Sequence, residues 1–251
     1  MAEKKHITVW IRILQTILSL LVVLVLAFVF WGSTPAKPMP EALTALQSDL
    51  AVTVETGKWL VFTPLDSQPE IGFIIYPGGR VDYRSYAPTA QAIADQGYLV
   101  VIIHMPLNLA VFDPNAAEQF ITNHPEIKQW VIGGHSLGGA MAANYVYTHP
   151  GVPDGLILWA AYPASTNDLS GYDIQVVSIS GTLDGLSTPA KIESSRGLLP
   201  IDSAFFPIEG GNHAQFGWYG PQSGDKAATI SREVQQNQIV QATVLFLAGL
   251  K

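Results

Sequence analysis

Apolar positions fall into three regimes along this chain. Residues 13–31 form an uncharged, mostly apolar stretch of 19 residues, about the length a helix needs to cross a bilayer. Residues 33–40 read Ser-Thr-Pro-Ala-Lys-Pro-Met-Pro. Three prolines so close together disfavour both helix and sheet, which predicts a linker over 32–40. From residue 41 onward, short apolar runs alternate with longer amphipathic segments. Strands are predicted at 59–62, 71–76, 98–103, 130–132, 155–160, 176–179 and 204–208. Several are continuously apolar, as expected for strands covered on both faces. Helices are predicted at 86–96, 115–123, 137–148, 189–198 and 226–247. Strand-helix alternation predicts an α/β domain over 41–251 with a mostly parallel sheet and helices on both faces. Sites in such sheets form beyond the carboxyl ends of the strands.

Charge orients the first regime. Lys4, Lys5 and Arg12 precede the apolar stretch, and Lys37 alone follows it closely. The positive-inside rule then places residues 1–12 in the cytoplasm and the remainder outside. Trp10 and Trp31 stand near the two ends, where interfacial aromatics are common. The expected arrangement is an uncleaved signal anchor over 13–31, with a single-pass topology and an extracytoplasmic catalytic domain. The rival is a cleaved signal peptide and a secreted product. The stretch is long for a signal peptide, and its one small-residue cleavage candidate, Thr34-Pro35-Ala36, carries an awkward proline.

Composition narrows the chemistry. Three of the 13 basic residues and one of the 20 acidic residues precede position 33, so the domain is distinctly acidic. Nucleic acid is not an expected partner. The chain has no cysteine. Disulfides, a thiolate nucleophile and cysteine-ligated zinc are thereby excluded.

The predicted strand 130–132 runs into Gly134-His135-Ser136-Leu137-Gly138 and then a helix. Strand, Gly-x-Ser-x-Gly, helix is the context in which a serine hydroxyl is lifted out of a sheet for nucleophilic attack. The serine needs a base and an orienting acid, later in the chain in the order acid, then histidine. Asp184 follows the strand 176–179 within Ser180-Gly181-Thr182-Leu183-Asp184-Gly185. His213 follows the last strand within Gly210-Gly211-Asn212-His213. Each would otherwise be an ordinary turn or loop residue. Three groups past three strands, at one sheet edge and in the required order, predict a Ser136–His213–Asp184 triad. Oxyanion donors are expected from the N–H of Leu137 and from the loop Pro77-Gly78-Gly79-Arg80, with Gly79 favoured and Arg80 next. His135 is expected to point away from the reaction centre. His104, Phe216, Trp218 and Tyr219 are candidates for the pocket lining, and Glu209 is a fallback acid. No metal or organic cofactor is required.

At these motifs the chain resembles the α/β-hydrolase superfamily, and within it the small bacterial branch of dienelactone-hydrolase-like enzymes. The resemblance covers residues 59–250. It rests on Tyr76-Pro77-Gly78-Gly79, on Gly133 through Gly139, on Gly181 through Gly185 and on Gly211 through Gly217. It implies the α/β-hydrolase fold, here preceded by one transmembrane helix, and a serine esterase activity. Dienelactone hydrolases proper use a cysteine nucleophile, so lactone specificity does not carry over. Pro77 stands where many relatives have histidine. Many relatives also insert a cap domain before the acid, whereas only residues 162–175 are available here, so no large cap is expected.

The implied reaction is hydrolysis of a small-molecule carboxylic ester through an acyl-enzyme, in a fairly open site favouring short or medium acyl groups. Two readings keep the same residues: an acyltransferase, and a non-catalytic membrane-tethered binding module. The sequence does not set the oligomeric state.

Overall fold

The computed structural model describes residues 2–250. A long helix, α1 (Ala2–Gly32), begins the chain, and its Arg12–Gly32 portion is long and apolar enough to cross a membrane. A short helix α2 (Pro40–Thr44) leads into an eight-stranded sheet. In chain order the remaining elements are β1 (Val52–Thr56), β2 (Trp59–Pro64), β3 (Ile71–Tyr76), α3 (Ala87–Ala94), β4 (Leu99–Ile103), α4 (Ala116–Asn123), β5 (Gln129–His135), α5 (Leu137–Thr148), β6 (Gly155–Trp159), β7 (Gln175–Gly181), α6 (Pro189–Ser195), β8 (Ala204–Ile208) and α7 (Arg232–Ala248).

The strands lie in the order β1-β2-β4-β3-β5-β6-β7-β8. β2 pairs antiparallel with both β1 and β4, and every other pairing is parallel. Alternate strand residues feed opposite faces. Phe73, Ile75, Val131 and Ile157 join Ala90 and Ile93 of α3 and Ile239 and Ala242 of α7. Ile74, Tyr76, Ile132 and Leu158 join Phe120 of α4 and Ala142 and Val146 of α5. Two apolar layers against one sheet explain why the central strands read as continuous apolar runs. Residues 160–174, between β6 and β7, contain no helix or strand, so no cap domain covers the sheet edge.

Three local expectations change. β1 was not predicted: Val-Thr-Val-Glu-Thr is a short alternating edge strand whose signal is weak beside the buried runs. Helix α7 begins at Arg232, because the Ser231 hydroxyl caps it by accepting from the Val234 N–H at 3.3 Å. Residues just before it serve the loop after β8 instead, as in the 2.9 Å bond from the Thr229 N–H to the Gly210 carbonyl. The proline-rich segment is no free tether either. Ala36 forms a parallel bridge with Val81, and the Met39 N–H donates to the Trp218 carbonyl at 2.8 Å.

Candidate active site

β5 ends at His135, and the chain turns through Ser136 into α5. Ser136 has φ 54° and ψ −120°, a conformation costly for any residue with a side chain. The turn is held on both sides. The Ser136 N–H donates to the Trp159 carbonyl at 2.9 Å, and its carbonyl accepts from the Ala140 N–H at 3.0 Å. The flanking glycines are required by close approach: a Cβ on Gly134 or Gly138 would collide with the Tyr76 carbonyl oxygen. Ser136 and Leu137 are half-buried, so the turn reaches the surface at the carboxyl edge of the sheet.

Asp184 and His213 meet there. His213 Nδ1 and Asp184 Oδ2 are 2.7 Å apart, with both side chains fully buried. The other carboxylate oxygen of Asp184 accepts from the N–H groups of Leu186 and Ser187, each at 2.7 Å. The carboxylate is thus held by three donors. His213 Nε2 is buried without a hydrogen-bond partner among the described residues. Ser136 Oγ makes no hydrogen bond to it here. The two residues are linked through His135, whose ring centroid lies 4.5 Å from that of His213.

His135 is fully buried behind the Ser136 turn, its ring stacked on Phe216 at 5.7 Å. The Gly78 N–H donates to the Tyr86 hydroxyl at 2.9 Å, and that hydroxyl lies 2.9 Å from His135 Nδ1. Burial pushes the His135 pKa well below its ordinary value of 6.5, so the ring is neutral. Tyr86 then donates to Nδ1, and the ring proton sits on Nε2. One buried chain therefore ties the Gly78 loop, the Ser136 turn and the His213 loop together. A consequence for stability follows. Unfolding frees His135 to protonate below pH 6.5 while the native state keeps it neutral, so acid favours the unfolded chain. Stability should fall as the pH drops below 6.5, with a slope approaching roughly 1.4 kcal/mol per pH unit. Denaturant unfolding across that range should lose this slope in His135→Gln.

The expected oxyanion donors divide. Among the described residues, the N–H groups of Leu137 and Gly79 have no acceptor, and the side chains at this edge bring the two loops together. A Cβ on Gly79 would sit 2.9 Å from Leu137 Cδ2. Arg80 is a correction: its N–H donates to the Asn108 carbonyl at 2.8 Å and is not free. Its backbone is left-handed, with φ 57°, and its side chain leaves the site altogether. Arg80 Nε and Nη2 donate to the carbonyls of Trp31 at 3.0 Å and Thr34 at 2.7 Å.

The pocket candidates are also corrected. His104 is exposed and stacked on Tyr83 at 4.5 Å. It lines a separate groove of about 530 Å³ with Lys58, Trp59 and Asp113, because β4 lies across β3 from β5. Phe216, Trp218 and Tyr219 are buried and pack behind His135 and the segment entering α2, instead of rimming an opening. Glu209 is exposed in the turn after β8, away from His213. A cavity of about 850 Å³ near Glu55, Trp59 and Lys128 involves none of Ser136, Asp184 or His213.

Sequence reasoning missed the residues that hold the histidine loop. Gln235 accepts from the Asn212 N–H at 3.0 Å and donates to the Asn212 carbonyl at 2.7 Å. Arg232 donates to the carbonyls of Ala214 and Gly217. Asp225 joins the two loops: one oxygen accepts from the Gly185 N–H at 3.0 Å, the other from the Ala214 N–H at 2.8 Å. A polar first turn of α7 and a lone loop aspartate carry no motif that would have singled them out. Asp225→Ala should cost about 1–3 kcal/mol in denaturant unfolding, since it strips acceptors from half-buried N–H groups. A loss below 0.5 kcal/mol would mean that water replaces the carboxylate.

The comparisons agree with this architecture. Residues 72–237 match the Alpha/beta hydrolase family, two thirds of the chain, and the protein belongs to that family. No curated protein matches. Among solved structures, the esterase domain of a Rhodothermus marinus protein is 12% identical with a TM-score of 0.59, covering 78% of this chain and 98% of its own. A structure described as a predicted CIB-like hydrolase from Thermoplasma acidophilum is 18% identical with a TM-score of 0.56, covering 80% and 99%. An esterase from the planctomycete Thermogutta terrifontis is 14% identical with a TM-score of 0.56, covering 80% and 95%. At these identities the likeness is one of fold.

Proposed function

We propose that this protein is a serine esterase held at a membrane by α1, with Ser136 as nucleophile, His213 as base and Asp184 as the orienting acid. The observation that carries the reading is the buried Asp184–His213 pair at 2.7 Å, with Nε2 left unpaired beside the strained serine turn. Ser136 Oγ attacks the ester carbonyl carbon while His213 Nε2 takes its proton. The oxyanion is met by the N–H groups of Leu137 and Gly79. The carbon–alkoxy oxygen bond breaks, and the alcohol leaves with the proton from His213. Water then attacks the acyl-enzyme, giving its proton to the same nitrogen, and the acid is released with Ser136 restored. Asp184 holds the tautomer that leaves Nε2 able to accept. The protein's own residues supply every proton transfer in this scheme.

The anchor reading rests on the apolar length of α1, on Lys4, Lys5 and Arg12 before its apolar part, and on the packing of its carboxyl end against the domain. That packing supports retention of α1: Arg80 binds the Trp31 carbonyl within the helix and the Thr34 carbonyl just after it. The esterase neighbours share the fold and lend support at that level. The test is covalent: a fluorophosphonate should modify Ser136 in the folded chain, read by peptide mass, and a short p-nitrophenyl ester should be hydrolysed. Folded protein that stays unlabelled at Ser136 overturns the reading.

A further inference from the structure

The carboxyl end of the apolar helix is built into the edge of the candidate site. Arg80 follows Gly79, and its guanidinium binds the Trp31 and Thr34 carbonyls and covers the Trp31 ring at 4.3 Å. Asn108 Nδ2 donates to the Gly32 carbonyl at 3.0 Å, and its own carbonyl holds the Arg80 N–H. Gly32 is buried against Leu107, with room for no more than a marginal Cβ contact at 3.0 Å. Arg80, Leu107 and Asn108 all have positive φ, so this clamp is made at a conformational cost. The last carbonyls of a helix need donors, and here the loops beside Ser136 provide them.

The same loop carries apolar side chains outward. The Phe112 ring packs edge-on against Phe28 at 6.0 Å. Phe28 lies four residues before Gly32, about 6 Å down the helix axis, within the apolar span. Phe112 and its neighbour Val111 are nevertheless 49% and 46% exposed. Large apolar groups at that depth, exposed in the protein alone, fit the boundary between headgroups and acyl chains. On the inner side of the loop, Leu109 Cδ2 would lie 3.6 Å from a Cβ on Gly79, and Leu137 lies closer still. Apolar side chains therefore run from the membrane helix to the free N–H groups.

We infer that the Ser136 site opens at the bilayer surface and takes esters presented by the membrane, with the acyl or alkyl chain of the substrate held among the lipids. The inference rests on the serine esterase reading and on retention of α1. It replaces the sequence-based leaning toward short or medium acyl groups. The occupant of the Val111–Phe112 face is the lipid surface itself, because a helix that crosses the membrane beside it brings that surface to it.

The experiment uses the full chain in vesicles of ether-linked phosphocholine lipid, which carry no ester of their own. Two fluorogenic substrates share one leaving group: a short soluble ester and a long-chain ester dissolved in the bilayer. Replacing Val111 and Phe112 with aspartate should lower turnover of the bilayer ester at least tenfold and leave the soluble ester within twofold. Equal loss on both, or loss on neither, overturns the inference. Fluorophosphonate labelling of both proteins separates the two failures. Unlabelled wild type defeats the esterase reading, whereas labelled protein with no substrate discrimination defeats only the membrane-surface reading. If the double variant does not fold, Phe112→Ser carries the same test with an expected loss of at least threefold.

Discussion

Ser136→Ala should reduce ester turnover by roughly four to six orders of magnitude, the scale seen when a serine nucleophile is removed. The residual rate would come from binding and from the Leu137 and Gly79 N–H groups. Little else should change. The Ser136 side chain makes no capping hydrogen bond to α5, so alanine forfeits no structural partner. Alanine also bears the same left-handed backbone strain as serine, and the bonds from the Ser136 N–H and to its carbonyl survive. Unfolding free energy should therefore move by no more than about 0.5 kcal/mol. Steady-state hydrolysis and denaturant unfolding on the same preparation check both halves. Turnover within tenfold of wild type would assign the chemistry to another group.

Asp184→Asn should lower kcat by roughly 10⁴ near neutral pH. The reason lies in how the carboxylate is partnered. Oδ1 accepts from the Leu186 and Ser187 N–H groups, so an asparagine oxygen is pinned to that position. Its NH₂ must then face His213 Nδ1 and donate to it. The ring responds by carrying its proton on Nε2, which can no longer accept from Ser136. Wrong protonation, with geometry kept, is the expected defect. KM and the unfolding free energy should change little, and fluorophosphonate labelling should slow in parallel with kcat. A collapse of stability instead would make Asp184 chiefly a structural residue of its loop.

Asp225 and His135 belong to a different class from these two. Neither touches a reacting atom in the proposed scheme. Asp225 sets the Asp184 loop against the His213 loop, and His135 packs between the Ser136 turn, Tyr86 and His213. Their effects should appear first in stability and its pH dependence. Burial keeps His135, beside Ser136, neutral.

Much of the fold was legible because its signals are local. Short, mostly apolar runs identified seven of the eight strands, and the glycine pattern around Ser136 fixed where β5 turns into α5. Asp184 and His213 were legible as positions past strand ends, and the structure brings them to 2.7 Å. What escaped was long-range. Arg80 looked like a second oxyanion donor because glycine-rich loops offer free N–H groups, yet the Asn108 carbonyl, 28 positions further along, occupies its N–H. His104 ends a strand, as a site residue should, but strand order puts β3 between it and β5. Phe216, Trp218 and Tyr219 read as a rim from their loop position, whereas the core and the segment after α1 draw them inward.

The sequence by itself determined the α/β class, the boundaries of most elements, an apolar helix of membrane-spanning length and the residue types able to form a triad. These depend on periodicity, composition and steric limits within a few residues of one another. Tertiary structure alone decided which N–H groups are free, that Asp225 and the first turn of α7 hold the histidine loop, and that Arg80 and Asn108 bind the end of α1. Each of those outcomes depends on which distant backbone groups come within hydrogen-bonding distance. Strand order and packing set that distance, and no local pattern encodes it.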